Sequence, residues 1–188
     1  MPIETLRYVV LASLMSALTA AGSYIQVPIG PVPIVLTNLF VLLAGLLLER
    51  RWALAGMGLY LLVGAIGMPV FAGGRGGVAH FLGPTGGYLF GYALAAWVAG
   101  FLSHRSRNPL VLDVLAAVMG CLCIYALGVP WLKFVTKMTW DRALMAGVVP
   151  FMVGDALKAS AAIVLARAVR PILARQAASF AAAGVRER

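Results

Sequence analysis

Six apolar runs alternate along the chain with connections that are either basic or rich in glycine and proline. Most runs reach the length of about 17–25 residues that a helix needs to cross the hydrocarbon core of a bilayer, although the second is somewhat short. The pattern predicts helices near 6–25, 33–48, 52–68, 86–103, 109–129 and 149–169. We therefore expect an all-α integral membrane protein in which residues 1–188 form one domain with six transmembrane helices.

The connections at the two ends of the predicted bundle differ in charge. LERR at 48–51, SHRSRN at 103–108 and the tail at 170–188 are rich in arginine. Because cytoplasmic loops carry the excess of Lys and Arg, we expect these segments and both termini in the cytoplasm. The three longer connections, at 26–33, 68–87 and 129–150, then lie on the outer side.

The composition supports a membrane protein and limits its functions. The chain is 62% hydrophobic and 11% charged, whereas a soluble domain has about 25% charged residues. No stretch remains for a separate catalytic domain outside the bilayer. The net charge of +9 does not indicate nucleic-acid binding, because the basic residues lie between apolar runs and not in a patch with aromatic residues. A cleaved signal peptide is the alternative for the first run, which ends in small residues at 19–21.

The outer connections are long and irregular without being strongly polar, which is typical of loops that cover a binding site. Seven glycines lie within Val70–Gly87, and glycine allows positive φ angles and a close approach of the backbone to a ligand. We expect these loops to form a lid. The alternative is a re-entrant loop that only packs on the bundle.

One acidic and one basic residue lie inside the sixth apolar run. Asp155 and Lys158 are three residues apart, which places them on one face of a helix. A charged side chain at the centre of a membrane helix costs about 2.5–3.5 kcal/mol on insertion scales, so such residues usually face a cavity or a partner. We interpret the pair as part of a ligand site below the outer loops. An internal salt bridge that only neutralises the two charges is the alternative.

Few other polar residues lie near the outer ends of the helices. Thr37 and Asn38 are candidate ligand contacts or members of an interhelical hydrogen bond. Phe71, Thr85 and Tyr88 are candidates to enclose a ligand ring or to form part of an interfacial belt. Because the sequence offers no paired carboxylates, no Ser–His arrangement at one depth and no set of metal ligands, we expect neither catalysis nor a cofactor.

The first predicted helix carries two neighbouring ridges of small residues. Ala12, Ser16 and Ala20 recur every four residues, as do Ser13, Ala17 and Ala21. Small residues at this spacing let membrane helices approach closely. The ridges either serve packing within the bundle or meet another membrane protein, and Ala17 and Ala21 are the candidate contacts in the second case.

Three segments carry specific patterns: IGPVPIVLTNLFVLLAGLLL at 29–48, LYLLVGAIGMPVFAGGRGGVAHFLGPTGGYLFGY at 59–92, and PFMVGDALK at 150–158. They resemble the BioY family, the biotin-binding S components of energy-coupling factor (ECF) transporters. The GAxGxPVFAGGxGG, GPTGGY and PFxxGDxxK patterns carry this resemblance. Many members read PITLQT where this chain has PIVLTN.

The resemblance implies a six-helix S-component bundle in a bacterial or archaeal cytoplasmic membrane, which captures biotin from outside and is not an enzyme. It implies as partners a transmembrane coupling protein and two cytoplasmic ATPases, with the small residues of the first helix at the coupling contact. Rival interpretations are an S component for another vitamin and a non-transport intramembrane protein.

The same resemblance suggests roles for individual residues. Asp155, Lys158 and Tyr88 occupy family motif positions, and Arg75 and Gly74 are candidate contacts in the glycine-rich loop. Asp155 is expected to accept hydrogen bonds from the ureido nitrogens of biotin. Lys158 is expected to donate to the ureido carbonyl or to the neighbouring carboxylate.

Overall fold

The computed structural model describes residues 3–28, 30–103 and 109–186. Over these residues the chain forms seven α-helices, a 3₁₀ turn at Val78–Leu82 and a two-stranded antiparallel sheet. The helices are α1 (Ile3–Tyr24), α2 (Thr37–Leu47), α3 (Arg50–Ala65), α4 (Gly86–Ser103), α5 (Pro109–Thr136), α6 (Trp140–Gly147) and α7 (Met152–Arg186), and the strands are β1 (Gln26–Val27) and β2 (Ile34–Val35).

α2 is the central helix of the bundle. It contacts α1, α3, α4, α5 and α7, and nine of its eleven residues are buried. A helix that is apolar on every side belongs in the interior of a protein, and TNLFVLLAGLL has this composition. The first residues of α2 therefore face the inside of the bundle, directly below the outer loops.

Among the described residues, three helical segments are each long and apolar enough to cross a bilayer: Glu4–Tyr24, Gly86–Ser103 and Leu110–Thr136. α6 and α7, which meet at a bend of 45°, make a fourth if they are counted as one span. α2 and α3 have only 11 and 16 residues, fewer than the roughly 20 that a perpendicular span needs.

The second helix is shorter at its start than the sequence predicts. It begins at Thr37 and not near residue 33, because Ile34–Val35 pair with Gln26–Val27 as a small hairpin. The Leu36 amide then donates to the carbonyl oxygens of Gly22 and Ile25, at 3.2 and 3.1 Å. The connection between α1 and α2 is thus tied to the end of α1.

The fifth helix extends beyond its predicted end at residue 129. α5 passes through Pro130 and ends at Thr136, although proline removes one helical hydrogen bond. The continuation is held by packing, because Leu132 is fully buried and Trp131 Nε1 donates to the Gly83 carbonyl oxygen at 3.0 Å.

The helical part of the predicted basic tail belongs to α7, which runs through Pro171 to Arg186. Residues 104–108 of the predicted cytoplasmic connection at 103–108 lie outside the described residues, as does the terminal Arg188.

The loop between α3 and α4 folds back over one end of the bundle. The backbones of Phe71 and Arg75 exchange two hydrogen bonds, at 2.8 and 3.2 Å, around Gly73 and Gly74, whose φ angles are +74° and +68°. Only glycine adopts these angles readily. Ser23 Oγ donates to the Val70 carbonyl oxygen at 2.7 Å. The loop is thereby attached to the end of α1.

The opposite end of the bundle is held by an ion pair between a buried aspartate and a partly exposed arginine. Both guanidinium Nη atoms of Arg170 donate to the carboxylate of Asp113, at 2.7 and 2.8 Å. Arg170 also donates to the Leu46 carbonyl oxygen in the last turn of α2, where helical carbonyls lack a partner within the helix. The pair therefore joins α2, α5 and α7 at this end.

Candidate functional site

A buried carboxylate near the start of α7 is the centre of the candidate site. Asp155 is 4% exposed, and its Oδ1 accepts a hydrogen bond from Lys158 Nζ at 2.8 Å. Its Oδ2 accepts one from the Tyr125 hydroxyl at 2.5 Å. Asn38 Nδ2 lies 3.2 Å from both carboxylate oxygens. Three helices, α2, α5 and α7, thus converge on one anionic group whose charge is balanced by the ammonium one turn away.

An inner cavity lies directly against this cluster and is open at its mouth. Most of its wall is apolar or aromatic, and its polar groups come from a few side chains. This combination is the usual form of a small-molecule site. The lining residues are Val32, Pro33, Val35, Thr37, Asn38, Tyr60, Ala72, His80, Thr85, Tyr88, Leu89, Tyr92, Ile124, Tyr125, Phe151 and Asp155.

An outer depression lies between the first two outer loops and is lined by Gln26, Pro28, Gly30, Pro31, Pro33, Ala72, Gly73, Arg75, Ala79, His80, Gly83, Pro84 and Thr85. Four of these residues, Pro33, Ala72, His80 and Thr85, also line the inner cavity. The two spaces therefore share a boundary, and the inner cavity opens toward the outer loops.

His80 stands at this shared boundary. Its Nε2 lies 3.2 Å from Thr85 Oγ1, and its ring stacks on that of Phe71 with the centroids 5.1 Å apart. Burial, and secondarily the positive charge of Arg75, lower the pKa of His80 below the ordinary value of 6.5. The histidine is therefore neutral at neutral pH. Its position makes it part of the entrance.

The structure brings together five of the candidate residues from the sequence at the inner cavity: Thr37, Asn38, Thr85, Tyr88 and Asp155. Tyr88 is held there because its hydroxyl donates to the Gly147 carbonyl oxygen at 3.0 Å, which connects the cavity wall to the end of α6. Arg75 lines the outer depression, as does Thr85.

Three predicted site residues line neither space. Lys158 lies behind Asp155 and donates to it, which matches the second of the two roles expected for it. Phe71 is fully buried below the glycine-rich loop and packs on His80 and Phe81. Gly74 lies at the tip of that loop, close to the ring of Tyr24.

The tyrosines of the cavity wall were not found from the sequence, with the exception of Tyr88. Tyr60, Tyr92 and Tyr125 all line the inner cavity, and Tyr125 contacts the carboxylate directly. The available signal was weak. A hydroxyl-bearing residue inside an apolar membrane helix needs a partner, but α5 is apolar on every side, so its inward face is not visible in the sequence.

The two ridges of α1 have different environments. Ala12 and Ser16 are buried, and a Cβ built on Gly56 of α3 would lie 2.8 Å from the Ala12 carbonyl oxygen. This first ridge serves close packing against α3. Ser13, Ala17 and Ala21 are exposed on the outside of the bundle.

Comparison with known proteins gives consistent matches over nearly the whole chain. The family model for the BioY family matches residues 1–175. The chain is 42% identical over 161 residues to a probable biotin transporter BioY of Pyrococcus horikoshii, covering 85% of this chain and 94% of that protein. It is 37% identical over 161 residues to the biotin transporter BioY of Thermotoga maritima, covering 86% and 94%.

Two solved structures share the fold. The crystal structure of the S-component for biotin from an ECF-type ABC transporter superposes with a TM-score of 0.84 at 28% identity, covering 91% of this chain and 94% of that chain. FolT bound with folic acid superposes with a TM-score of 0.58 at 15% identity, covering 88% and 90%. The second likeness concerns the fold alone. The predicted all-α architecture is thereby confirmed as that of an S component.

Proposed function

The chain belongs to the BioY family, and from this membership we propose that it captures biotin outside the cell and serves its uptake as the substrate-binding subunit of an ATP-driven ECF importer. The observation that carries this proposal is the hydrogen-bonded carboxylate of Asp155 at the wall of a cavity that opens toward the outer loops. The protein is a transporter component and not an enzyme.

The chemistry of the two spaces fits the two ends of biotin. The ureido ring offers N–H donors and a carbonyl acceptor, which match the polar cluster around Asp155, and the tyrosines of the inner cavity suit the apolar bicyclic rings. The valerate carboxylate is an anion, and Arg75 in the outer depression is a cation that binds carboxylates in planar, two-point geometry. In this arrangement Phe71 and Lys158 support the site from behind.

We assign the cavity end of the bundle to the outer side of the membrane and both termini to the cytoplasm. The support is the distribution of charge. The arginines at 50–51 have one acidic neighbour, Glu49, so this connection carries an excess of positive charge. Arg167, Arg170 and Arg175 lie toward the end of α7 that is remote from the cavity. Six crossings then require α2 and α3 to act as short spans, with α6 and α7 forming one bent span.

The exposed ridge of α1 supports a contact with the transmembrane coupling protein, to which two cytoplasmic ATPases would attach. Ala17 and Ala21 face outward, while the neighbouring ridge is already used for packing against α3. Small side chains on a lipid-facing surface leave a groove into which a partner helix can pack closely.

Binding of biotin by the purified full-length chain tests the central proposal. We expect saturable binding by calorimetry in detergent, and strong loss of binding in Asp155→Asn. Competition with folate, riboflavin and thiamine tests the rival assignment, since the same fold occurs in FolT. Absence of biotin binding by a folded parent protein would refute the assignment, and preferential binding of another vitamin would replace it.

The coupling surface is tested separately with bulky substitutions. Ala17→Trp and Ala21→Trp are expected to prevent assembly with the coupling protein and its ATPases while leaving biotin binding intact. Leu115→Trp on the exposed side of α5 is the matched control and should assemble normally. Normal assembly of both alanine variants would contradict this surface.

A further inference from the structure

The side-chain amide of Asn38 uses its nitrogen in hydrogen bonds, whereas its oxygen has no partner among the described residues. Its Nδ2 faces the carboxylate of Asp155, 3.2 Å from each oxygen. Because a carboxylate only accepts hydrogen bonds, the atom that faces it must be the nitrogen, and Oδ1 must point elsewhere. Oδ1 is buried and has no hydrogen-bond partner among the described residues.

The residue that carries this free acceptor belongs to the inner cavity. Asn38 is 6% exposed and belongs to the cavity wall. Buried polar atoms nearly always find a partner. Among the described residues, the other buried side-chain polar atom without a partner is Arg7 Nε, on the first turns of α1 and far along the sequence from this site. An unpaired acceptor on a residue of the cavity wall therefore points to a donor on the ligand.

The carboxylate beside Asn38 has little capacity left for a ligand. Oδ1 of Asp155 already accepts from Lys158 and Asn38, and Oδ2 accepts from Tyr125 and Asn38. A carboxylate has about four acceptor sites in total. Three protein donors face this carboxylate, with the Asn38 amide shared between its two oxygens, whereas Asn38 Oδ1 has no donor among the described residues. Asn38 therefore offers a ligand N–H the unused acceptor of this cluster.

We propose, on the basis of the function proposed above, that Asn38 Oδ1 accepts a hydrogen bond from a ureido N–H of biotin, and that Asp155 is a positioning residue. The carboxylate fixes the orientation of the amide, because only with Nδ2 bound to Asp155 does Oδ1 face outward from the pair. This assigns recognition of the ureido group to a neutral acceptor and gives the ion pair the task of holding that acceptor in place.

Binding of biotin and of its two mono-N-methylated ureido derivatives to the full chain tests this assignment. Removing the acceptor leaves a buried ligand donor unpaired, so Asn38→Ala should weaken biotin binding by about 5- to 150-fold. The derivative that is methylated at the contacted nitrogen carries no donor there. Its affinity should not fall in Asn38→Ala, and it should bind the parent much more weakly than biotin does.

A purely structural role of Asn38 gives a different pattern. If the amide only supports Asp155, Asn38→Ala weakens biotin and both methylated derivatives by the same factor, which would overturn the proposal. Unchanged biotin affinity in Asn38→Ala would also overturn it. Leu47→Ala, at the other end of the same helix, is the control and should not alter the ratio of affinities between biotin and its derivatives.

Two further results distinguish failure of this assignment from failure of the proposed function. If Asn38→Ala does not fold, Asn38→Ser is used, because it retains a hydroxyl acceptor at the position. It should show a smaller loss of biotin affinity with the same selectivity between ligands. An equal loss of affinity for all three ligands again overturns the assignment. Failure of the folded parent to bind biotin refutes the proposed function itself. Binding by the parent with equal affinity in the Asn38 variants refutes only this inference.

Discussion

Removing one charge from the Asp155–Lys158 pair should destabilise the protein more than removing both. We compare Asp155→Asn, Lys158→Met and the double variant. Both parent side chains are buried, with Asp155 4% and Lys158 9% exposed, and their charged atoms are 2.8 Å apart. Each single variant leaves an uncompensated ion inside the bundle.

The magnitude follows from what each remaining ion can still contact. Breaking a buried ion pair by removing one partner typically costs about 3–5 kcal/mol. Asp155 retains donors from Asn38 and Tyr125 when Lys158 is replaced. The ammonium of Lys158 has no other acceptor among the described residues when Asp155 is replaced. Asp155→Asn should therefore lie toward the upper end of that range and Lys158→Met toward the lower end.

The double variant carries neutral groups of similar volume at both positions, a change that is often close to neutral for stability. Its free energy of unfolding should exceed that of Asp155→Asn by about 2 kcal/mol or more. Titration of the purified proteins from mild detergent into SDS, followed by tryptophan fluorescence, measures these free energies. Additive effects of the two single substitutions would refute the reasoning, because they would show that the two charges are not coupled.

Three further predictions concern other parts of the bundle. Arg170→Met should lower the free energy of unfolding by about 3–5 kcal/mol, since Asp113 is fully buried, and adding Asp113→Asn should restore most of it in the same SDS titration. Gly64→Ala places a Cβ 2.0 Å from a buried phenylalanine ring and should lower the unfolding temperature, whereas Gly58→Ala on the same helix meets nothing within 4 Å and should not. The pKa of His80 is lowered in the folded protein, so the unfolded chain takes up the proton first as the pH falls. The free energy of unfolding should therefore decrease below about pH 6.5. Thermal unfolding measured between pH 8 and 5 should show a smaller decrease in His80→Gln.

The charged pair of the site could be predicted from the sequence, but its polar partners could not. Asp155 and Lys158 lie three residues apart on one helix, and helical periodicity alone places them side by side. Asn38 and Tyr125 reach the same carboxylate from positions 117 and 30 residues away. Since α2 and α5 are apolar on almost every side, no periodic pattern reveals which of their residues faces the cavity.

The extent of the helices was predicted less well where tertiary contacts override local preferences. The apolar residues at 34–35 continue the hydrophobic run of α2, but they form a hairpin with 26–27 and leave the helix to begin at Thr37. Pro130 suggests a helix end, yet α5 continues because the residues after it are anchored in the bundle. Both outcomes depend on contacts with segments distant in the sequence.

The two ion pairs among the described residues show how a structural pair differs from one that serves a site. At Asp113, the guanidinium of Arg170 binds both carboxylate oxygens and the Leu46 carbonyl oxygen, and every side-chain polar atom of the pair has a use within the protein. At Asp155, the carboxylate is equally well supplied with donors, but the amide that supplies one of them leaves an oxygen without a partner at a cavity wall. Charge in a membrane helix therefore does not by itself mark a binding site. The unpaired neutral acceptor beside the charge is what distinguishes the Asp155 end of this bundle from the Asp113 end.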